Sequence, residues 1–236
     1  MNHKKTIGIT GVSGALGQAL TKKFKSDGHY IIGLTHNKNP DKLSDLEINE
    51  WVYWECGKEF LLNESLLKID LLILNHGIYK YSSQTNLEES IEINAISKLK
   101  IINLFEKISF SNTNKSPREI WINTSEAEIL PALNPYYEIS KSLIGQAITF
   151  KKNFLTKSES EKLNIKKIIL GPFKSELNPI GIMSPEMVAN LIIYISKFNN
   201  YLIIVSPNPL SYILFPLREI YYFIYYLCLK LFTKNK

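Results

Sequence analysis

Cysteine and histidine are scarce in this sequence, which argues against a disulfide-rich protein and against a zinc-binding one. Among 236 residues there are two cysteines, Cys56 and Cys228, and four histidines. Their spacing matches neither a disulfide framework nor a zinc motif, so we expect no metal site and a reducing compartment. The N-terminus also lacks the apolar stretch of roughly 7–15 residues that a secretory signal requires, which predicts a cytoplasmic protein.

Charge of either sign is never concentrated. The chain has 28 basic and 22 acidic residues, for a formal net charge of +6, and 45% of its residues are hydrophobic. No dense basic block with interleaved aromatic residues occurs in the body of the chain, so we expect no nucleic-acid partner. The length and composition are typical of one globular domain with a sizeable core.

Short apolar runs alternate with segments of helical periodicity along most of the chain. The runs predict strands at residues 6–10, 30–35, 50–54, 69–77, 118–125, 165–170 and 201–206. The periodic segments predict helices after the first strand and at residues 60–67, 87–108, 137–155 and 185–198.

This alternation predicts an α/β fold, a single Rossmann-type doubly wound parallel sheet of about seven strands with helices on both faces. We expect residues 1–208 to form this domain and residues 209–236 to form an apolar C-terminal helix. In such a sheet the ligand lies at the carboxyl ends of the strands. Small polar or glycine residues lie where four predicted strands end, at Thr10, Asn75, Ser125 and Gly171.

A glycine-rich segment, TGVSGALG, lies between the first strand and the first helix. Its glycines would allow a tight turn and a close approach of the backbone to a pyrophosphate, which the N–H groups of the helix would bind. The alternative is an ordinary glycine turn. The segment predicts five cofactor-binding residues: Gly11, Ser13, Gly14, Leu16 and Gly17.

The end of the second strand bears on the choice of cofactor. Enzymes that bind NAD usually have an acidic residue there, for the ribose 2′-hydroxyl. This chain has LTHNKNP instead, in which Thr35, Asn37 and Lys38 are candidates to face a 2′-phosphate. The segment favours NADP(H) over NAD(H); the alternative is a surface turn without a ligand.

The segment NPYYEISK places Tyr137 and Lys141 on one face of a predicted helix, four residues apart. The spacing alone decides little, because Tyr226 and Lys230 repeat it near the C-terminus. Ser125, which lies 12 residues before Tyr137 at the end of a predicted strand, distinguishes the first pair.

Together with Asn94, these residues resemble the active site of the short-chain dehydrogenase/reductase family. Two further segments resemble that family's cofactor-binding turns, NHG with Asn75 and Gly77, and GPFKS with Gly171, Pro172 and Ser175. Several motifs also resemble the reductase portion of bifunctional sterol desaturase/short-chain dehydrogenase proteins.

The resemblance implies hydride transfer between a nicotinamide and a small carbonyl or alcohol substrate. It implies that Tyr137 donates or accepts the proton and that Ser125 orients the substrate oxygen. Lys141 would bind the nicotinamide ribose and favour the phenolate. Asn94 would hold a water, and the chain would form a homo-oligomer.

Some residues depart from the family pattern and leave alternatives open. The GxxGxxG spacing is commoner in longer epimerases and dehydratases, and His76 replaces a usual alanine. Glu126 and Glu128 beside Ser125 are unusual; they face either a hydroxyl-rich substrate or solvent. A non-catalytic dinucleotide sensor or scaffold, and an epimerase or dehydratase with retained NAD, are the alternative functions.

The C-terminal segment is apolar or aromatic throughout residues 220–229, with Lys230, Lys234 and Lys236 at or beyond its end. It is too short for a membrane span. Tyrosines beside apolar residues and lysines suit a helix in a membrane interface, which would bring a lipophilic substrate within reach. A helix packed on its own domain or on a partner subunit is the equal alternative.

Overall fold

A computed structural model describes residues 4–37, 46–79, 86–111 and 116–234. Within these ranges a seven-stranded, wholly parallel sheet has the order β3-β2-β1-β4-β5-β6-β7. The strands are β1 (Thr6–Thr10), β2 (Tyr30–Thr35), β3 (Glu50–Tyr53), β4 (Leu71–Leu74), β5 (Arg118–Asn123), β6 (Leu163–Leu170) and β7 (Leu202–Val205).

Helices connect the strands and cover both faces of the sheet. They are α1 (Ala15–Ser26), α2 (Asn63–Lys68), α3 (Leu87–Ile91), α4 (Ser97–Ser111), α5 (Pro135–Phe154), α6 (Lys157–Lys162), α7 (Pro185–Ser196) and α8 (Ser211–Lys234). Short 3-10 turns occupy Glu59–Leu62 and Glu126–Glu128, and a π-helical segment, Glu92–Ile96, joins α3 to α4.

Alternating side chains of the strands build two cores. In β4, Leu71 and Ile73 pack with α1 and α7 on one face, whereas Leu72 and Leu74 pack with α2, α4 and α5 on the other. Strands that are apolar on both sides are the signature of a parallel sheet covered by helices. The predicted doubly wound fold is confirmed.

Several predicted boundaries were wrong at the carboxyl ends of strands. The strand predicted at 69–77 spans only Leu71–Leu74, and the one predicted at 118–125 ends at Asn123. The chain leaves the sheet after Leu74 because the Thr10 hydroxyl accepts hydrogen bonds from the N–H groups of Asn75 and His76. These departures free the polar side chains that follow the strands.

Two predicted helices differ in the structure. The helix predicted at 87–108 is interrupted by the π-helical segment, and the one predicted at 137–155 begins at Pro135. The earlier start reflects the side chain of Asn134, which accepts a hydrogen bond from the N–H of Tyr137 at 3.1 Å. Pro135 suits the first helical position because a proline lacks an N–H.

Replacing Asn134 by alanine removes this cap beside Tyr137. We expect Asn134→Ala to lower the free energy of unfolding by about 1 kcal/mol, and Asn134→Ser to retain most of the stability. Urea denaturation of both variants measures the difference. Equal stability of the two variants would show that the cap contributes nothing.

Candidate active site

The turn after β1 has the geometry of a phosphate-binding loop. Gly11 adopts a left-handed conformation with φ of +62°, and a Cβ atom on Gly17 would lie 2.3 Å from the Gly11 carbonyl oxygen. Gly14 is the N-cap of α1, without a side-chain capping hydrogen bond, and the first turn has no acidic residue. The N–H groups at this helix end are therefore suited to an anionic ligand.

Two other predicted residues of this loop are oriented differently. Leu16 is buried in the core, so any contact with a cofactor would come from its main-chain N–H. Ser13 is partly exposed, and its carbonyl oxygen accepts a hydrogen bond from Gln18 Nε2 at 2.7 Å. The residues present fit a dinucleotide pyrophosphate mainly through the backbone.

The end of β2 is only partly described. Thr35 is buried, and its hydroxyl accepts a hydrogen bond from the N–H of Asn37 at 3.0 Å. Asn37 itself is exposed, and Lys38 lies outside the described residues. Residues 35–37 contain no carboxylate for a ribose 2′-hydroxyl.

The turn after β4 closes against the phosphate-binding loop. Asn75 Nδ2 donates a hydrogen bond to the Gly11 carbonyl at 3.2 Å, and Asn75 Oδ1 accepts one from Asn123 at 2.8 Å. A Cβ atom on Gly77 would lie 2.8 Å from Asn94 Oδ1 and 3.8 Å from Lys141 Nζ. Gly77 is thus needed where the chain passes between these side chains.

Asn94 is buried in the π-helical segment and is fully engaged with the chain. Its Oδ1 accepts the N–H of Ile78 at 2.8 Å, and its Nδ2 donates to the Ile78 carbonyl and to Ser140 Oγ at 3.0 and 3.1 Å. The side chain joins the turn after β4 to α5. In this arrangement it orders the backbone around Lys141.

Ser125, Tyr137 and Lys141 line one cavity of 490 Å³ at the carboxyl edge of the sheet. Ser125 follows β5, whereas Tyr137 and Lys141 lie one turn apart on α5, with Lys141 Nζ 5.2 Å from the centre of the Tyr137 ring. The structure also places in this wall Asn75, Gly77, Gly171, Pro172 and Ser175. A tyrosine, a serine and a lysine around one cavity can exchange a proton with a bound oxygen atom and hold that atom in place.

Two buried basic groups near the cavity have depressed pKa values. Lys98 is buried and donates a hydrogen bond to the Asn123 carbonyl at 2.8 Å. Burial, followed by the nearby Lys141, lowers the pKa of Lys98 well below its ordinary value. Burial also lowers the pKa of His76 well below its ordinary value, with smaller contributions from Lys98 and Lys141. In both groups burial therefore disfavours the charged form.

Sequence reasoning missed two residues next to Tyr137 and Lys141. The ring of Tyr79 contacts the Tyr137 ring edge to face, with 5.0 Å between the centres, and its hydroxyl donates to the Ala132 carbonyl at 3.2 Å. Lys98 lies one helical turn after Asn94. A lysine among the buried positions of an amphipathic helix was the signal available for Lys98; nothing in the sequence indicated Tyr79.

The environment expected for Glu128 was wrong, whereas the alternatives for Glu126 stay open. Glu128 is buried and forms ion pairs with Lys167 and Arg218. Glu126 borders the cavity, but its Oε1 accepts hydrogen bonds from Ser206 and Ser211. The Glu128 carboxylate is therefore paired inside the protein, whereas Glu126 lines the cavity and also contacts two serines.

His76 makes the stability of this region dependent on pH. An unfolded histidine binds a proton below a pH of about 6.5, whereas the lowered pKa keeps folded His76 neutral, so stability falls as the pH drops below that value. We expect His76→Ala to reduce the slope of unfolding free energy between roughly pH 5 and 6 by up to about 1.4 kcal/mol per pH unit. Urea denaturation across this range measures the slope, and an unchanged slope in His76→Ala would contradict the assignment.

Comparisons with known proteins agree with this arrangement. The model of the family described as "NAD dependent epimerase/dehydratase family" matches residues 7–127. A monoglucosyldiacylglycerol epimerase from Synechocystis sp. is 36% identical over 98% of this chain and 55% of its own length. A 1,2-dihydroxy-1,2-dihydronaphthalene dehydrogenase from Pseudomonas putida is 27% identical over 51% of this chain and 49% of its own length.

The chain therefore spans about half the length of the curated relatives it matches. Among solved structures, a short-chain dehydrogenase from Sphingobium yanoikuyae in complex with NADPH superimposes with a TM-score of 0.78 at 15% identity, over 91% of this chain and 94% of that one. The family match covers the phosphate-binding loop and extends to the turn that contains Ser125. This chain belongs to the NAD dependent epimerase/dehydratase family.

Proposed function

We propose that the protein is an oxidoreductase that transfers hydride between a nicotinamide dinucleotide and a carbonyl or alcohol carbon. The observation that carries the proposal is the single cavity lined by Ser125, Tyr137 and Lys141 beside the phosphate-binding loop. A sensor or scaffold would need the loop but not the three side chains, so the cavity favours catalysis over that alternative.

The residues that would hold the cofactor follow from the site. The backbone from Gly11 to Gly17 would bind the pyrophosphate, and Asn75 and Gly77 would line the path toward Lys141. The absence of an acidic residue at positions 35–37 supports NADP(H) over NAD(H), with Lys38 as a further proposed contact to a 2′-phosphate. The bound nicotinamide supplies hydride exchange.

The side chains of this chain would handle the proton. In the oxidative direction Tyr137 takes the proton of the substrate hydroxyl while hydride leaves the carbon, so that a carbonyl forms; in the reductive direction it returns the proton to the oxygen. Ser125 would hold that oxygen by a hydrogen bond. The ammonium of Lys141, near the Tyr137 ring, would stabilise the phenolate.

The cofactor assignment is tested by thermal unfolding with NADPH, with NADH and without ligand. Ligand at a hundred times its dissociation constant adds about 2.7 kcal/mol of stability. We expect a shift with NADPH, a weaker shift with NADH, and no shift for Gly14→Asp, because a carboxylate at the helix N-terminus would repel the pyrophosphate. Ser26→Asp, with the same added charge at the other end of α1, should retain the shift.

Tyr137→Phe separates cofactor binding, measured by thermal unfolding, from hydride transfer, measured by activity. It should keep the NADPH-induced shift and lose nearly all hydride transfer, since the phenyl ring fills the same space without the hydroxyl. Loss of the shift in Tyr137→Phe, or full activity without the hydroxyl, would sink the proposed role. No shift in the folded wild-type protein, once freed of retained cofactor, would refute dinucleotide binding.

Epimerisation is a second candidate, favoured by the similarity to the Synechocystis epimerase. The same side chains would then oxidise a sugar hydroxyl and reduce the ketone from the opposite face, without net consumption of cofactor. The match covers 55% of the length of that relative. Deuterium delivered from labelled NADPH into product supports net reduction; inversion of a glycosyl lipid with cofactor retained supports epimerisation.

Helix α8 supports a membrane contact through residues 209–236, because its distribution of polarity is inverted. Every exposed residue from 212 to 232 is apolar, aromatic or cysteine. Its charged residues in that range, Arg218, Glu219 and Lys230, are less exposed and contact the rest of the domain. A helix in water would place them outward. None of the helices in the part of the chain that the structure describes is long and apolar enough to cross a bilayer.

The mouth of the cavity continues this apolar surface. Leu133 and Ile180 line the cavity and are 94% and 87% exposed, and Leu177 is also exposed. Asn208, which lines the cavity, lies three residues before α8. A lipid surface would cover α8 and the apolar rim together and bring a lipophilic alcohol or carbonyl to Tyr137. The net positive charge favours anionic lipid at such a surface.

Flotation with vesicles of neutral and anionic phospholipid tests this contact. We expect the protein to float and Ile220→Glu/Ile224→Glu to lower the bound fraction at least about tenfold, since burial of each isoleucine contributes roughly 1.5–3 kcal/mol. Phe60→Glu/Leu67→Glu, at two exposed apolar positions away from α8, is the matched control.

Equal flotation of the two double variants would contradict the membrane proposal.

The family resemblance also implies a homo-oligomer, and we propose that it forms through surfaces other than α8. Light scattering in solution measures it. A dimer that the α8 variant alone dissociates would assign α8 to a partner subunit instead of lipid.

A further inference from the structure

A cluster of buried charges joins α8 to the turn that follows Ser125. Lys167 Nζ on β6 lies 2.9 Å from Glu128 Oε2 and 2.9 Å from Glu219 Oε1. Arg218 Nη1 on α8 lies 2.9 Å from the same Glu128 oxygen. The side chains of Lys167 and Glu128 are 0% exposed. Two cations and two anions from three parts of the fold therefore neutralise one another in the interior.

Burying such a cluster costs free energy, so a role other than stability is expected for it. Removing charges from water costs several kcal/mol per ion, and apolar side chains of similar size are often as stable. Burial fixes position, however, because each charge must keep its partners. The function of the cluster can therefore be sought in the groups whose positions it determines.

The cluster contacts the backbone of α5 beside the catalytic pair. The Glu128 carbonyl accepts a hydrogen bond at 2.7 Å from Ser142, the residue after Lys141. Lys167 Nζ donates to the Gly145 carbonyl at 3.0 Å, one turn beyond Lys141. A Cβ atom on Gly145 would lie 1.9 Å from Glu128 Oε2, so the carboxylate rests directly on the helix.

The same turn is attached to the start of α8 by a second contact. Glu126, the residue after Ser125, accepts hydrogen bonds from Ser206 and from Ser211 at the start of α8. Ser125 Oγ in turn accepts the N–H of Ala127 at 3.2 Å. The three residues that follow Ser125 are thus held by α8 on one side and by α5 on the other.

We propose that Glu128, with Lys167 and Arg218, positions Ser125 relative to Tyr137 and Lys141, and that this spacing depends on α8 being seated on the domain. The proposal rests on the proposed function for the roles of the three side chains. Glu128 does not line the cavity, so it acts through the backbone of α5 and of the Ser125 turn. The surface helix thereby becomes part of the support of the catalytic residues.

The chain contains a matched control for this cluster. Lys166, the neighbour of Lys167 on β6, is also buried and forms an ion pair with Glu119 at 3.1 Å on the other face of the sheet. Glu119 lies on β5 and has no contact with the Ser125 turn or α5 among those the structure describes. Glu119→Gln therefore removes the partner of a buried lysine without disturbing the catalytic residues.

The experiment compares Glu128→Gln with Glu119→Gln in the full chain, by two measurements. Hydrogen exchange of peptides covering 124–130 and 137–145, with and without NADPH, needs no substrate. Epimerisation of a monoglucosyl diacylglycerol, the lipid class of the second candidate function, is measured in mixed micelles well below the melting temperature of each variant and gives kcat and KM. We expect Glu128→Gln to accelerate exchange in both peptides and to lower kcat roughly 10- to 100-fold at an unchanged NADPH Kd. Glu119→Gln should do neither.

A double variant, Glu128→Gln/Lys167→Met, separates positioning from stability. Removing both charges should recover part of the folding stability, because Lys167 no longer lacks its partner Glu128 and the remaining cluster keeps one cation, Arg218, and one anion, Glu219. If kcat returns to the wild-type value, or if exchange becomes slow again, when stability is restored, the cluster is structural only and the proposal is overturned. The same holds if Glu128→Gln leaves exchange of both peptides unchanged. Absence of epimerisation in the wild-type protein would count against the second candidate function alone, since the exchange result stands independently.

Discussion

The arrangement of the site depends on the parallel register of the sheet. All seven strands point the same way, so every strand ends at one edge, and the strand order reverses direction at β1 and β4. There the Thr10 hydroxyl accepts hydrogen bonds from two N–H groups that follow β4. This contact brings the phosphate-binding loop beside Asn75 and aligns the later turns around one crevice, as expected for open α/β sheets.

Helix α8 has a charged face toward the domain and an apolar face away from it. Its charges, Arg218 and Glu219, enter a buried cluster with Glu128 and Lys167, while its outward side chains are apolar or aromatic. The inward face attaches the helix firmly to the Ser125 turn, and the outward face needs a nonaqueous neighbour. The proposed membrane contact and the proposed positioning of Ser125 therefore depend on the same helix.

Much of the fold could be predicted from local patterns. Alternating strands and helices predicted the doubly wound sheet, and the glycine spacing identified the loop in which Gly11 is left-handed. Strand ends were less predictable because they depend on contacts between distant segments, such as Thr10 with Asn75. The π-helical segment was missed for the same reason: Asn94 is held there by Ile78 and Ser140.

The sequence by itself determined the fold class, the position of the phosphate-binding loop and the candidacy of Ser125, Tyr137 and Lys141, because these depend on periodicity and short spacings. Only the tertiary structure decided the environments of Glu128 and Lys167. They lie 39 residues apart on elements that meet through the sheet. A charged residue in an apolar strand cannot reveal its partner from sequence, since pairing depends on which elements the topology brings together.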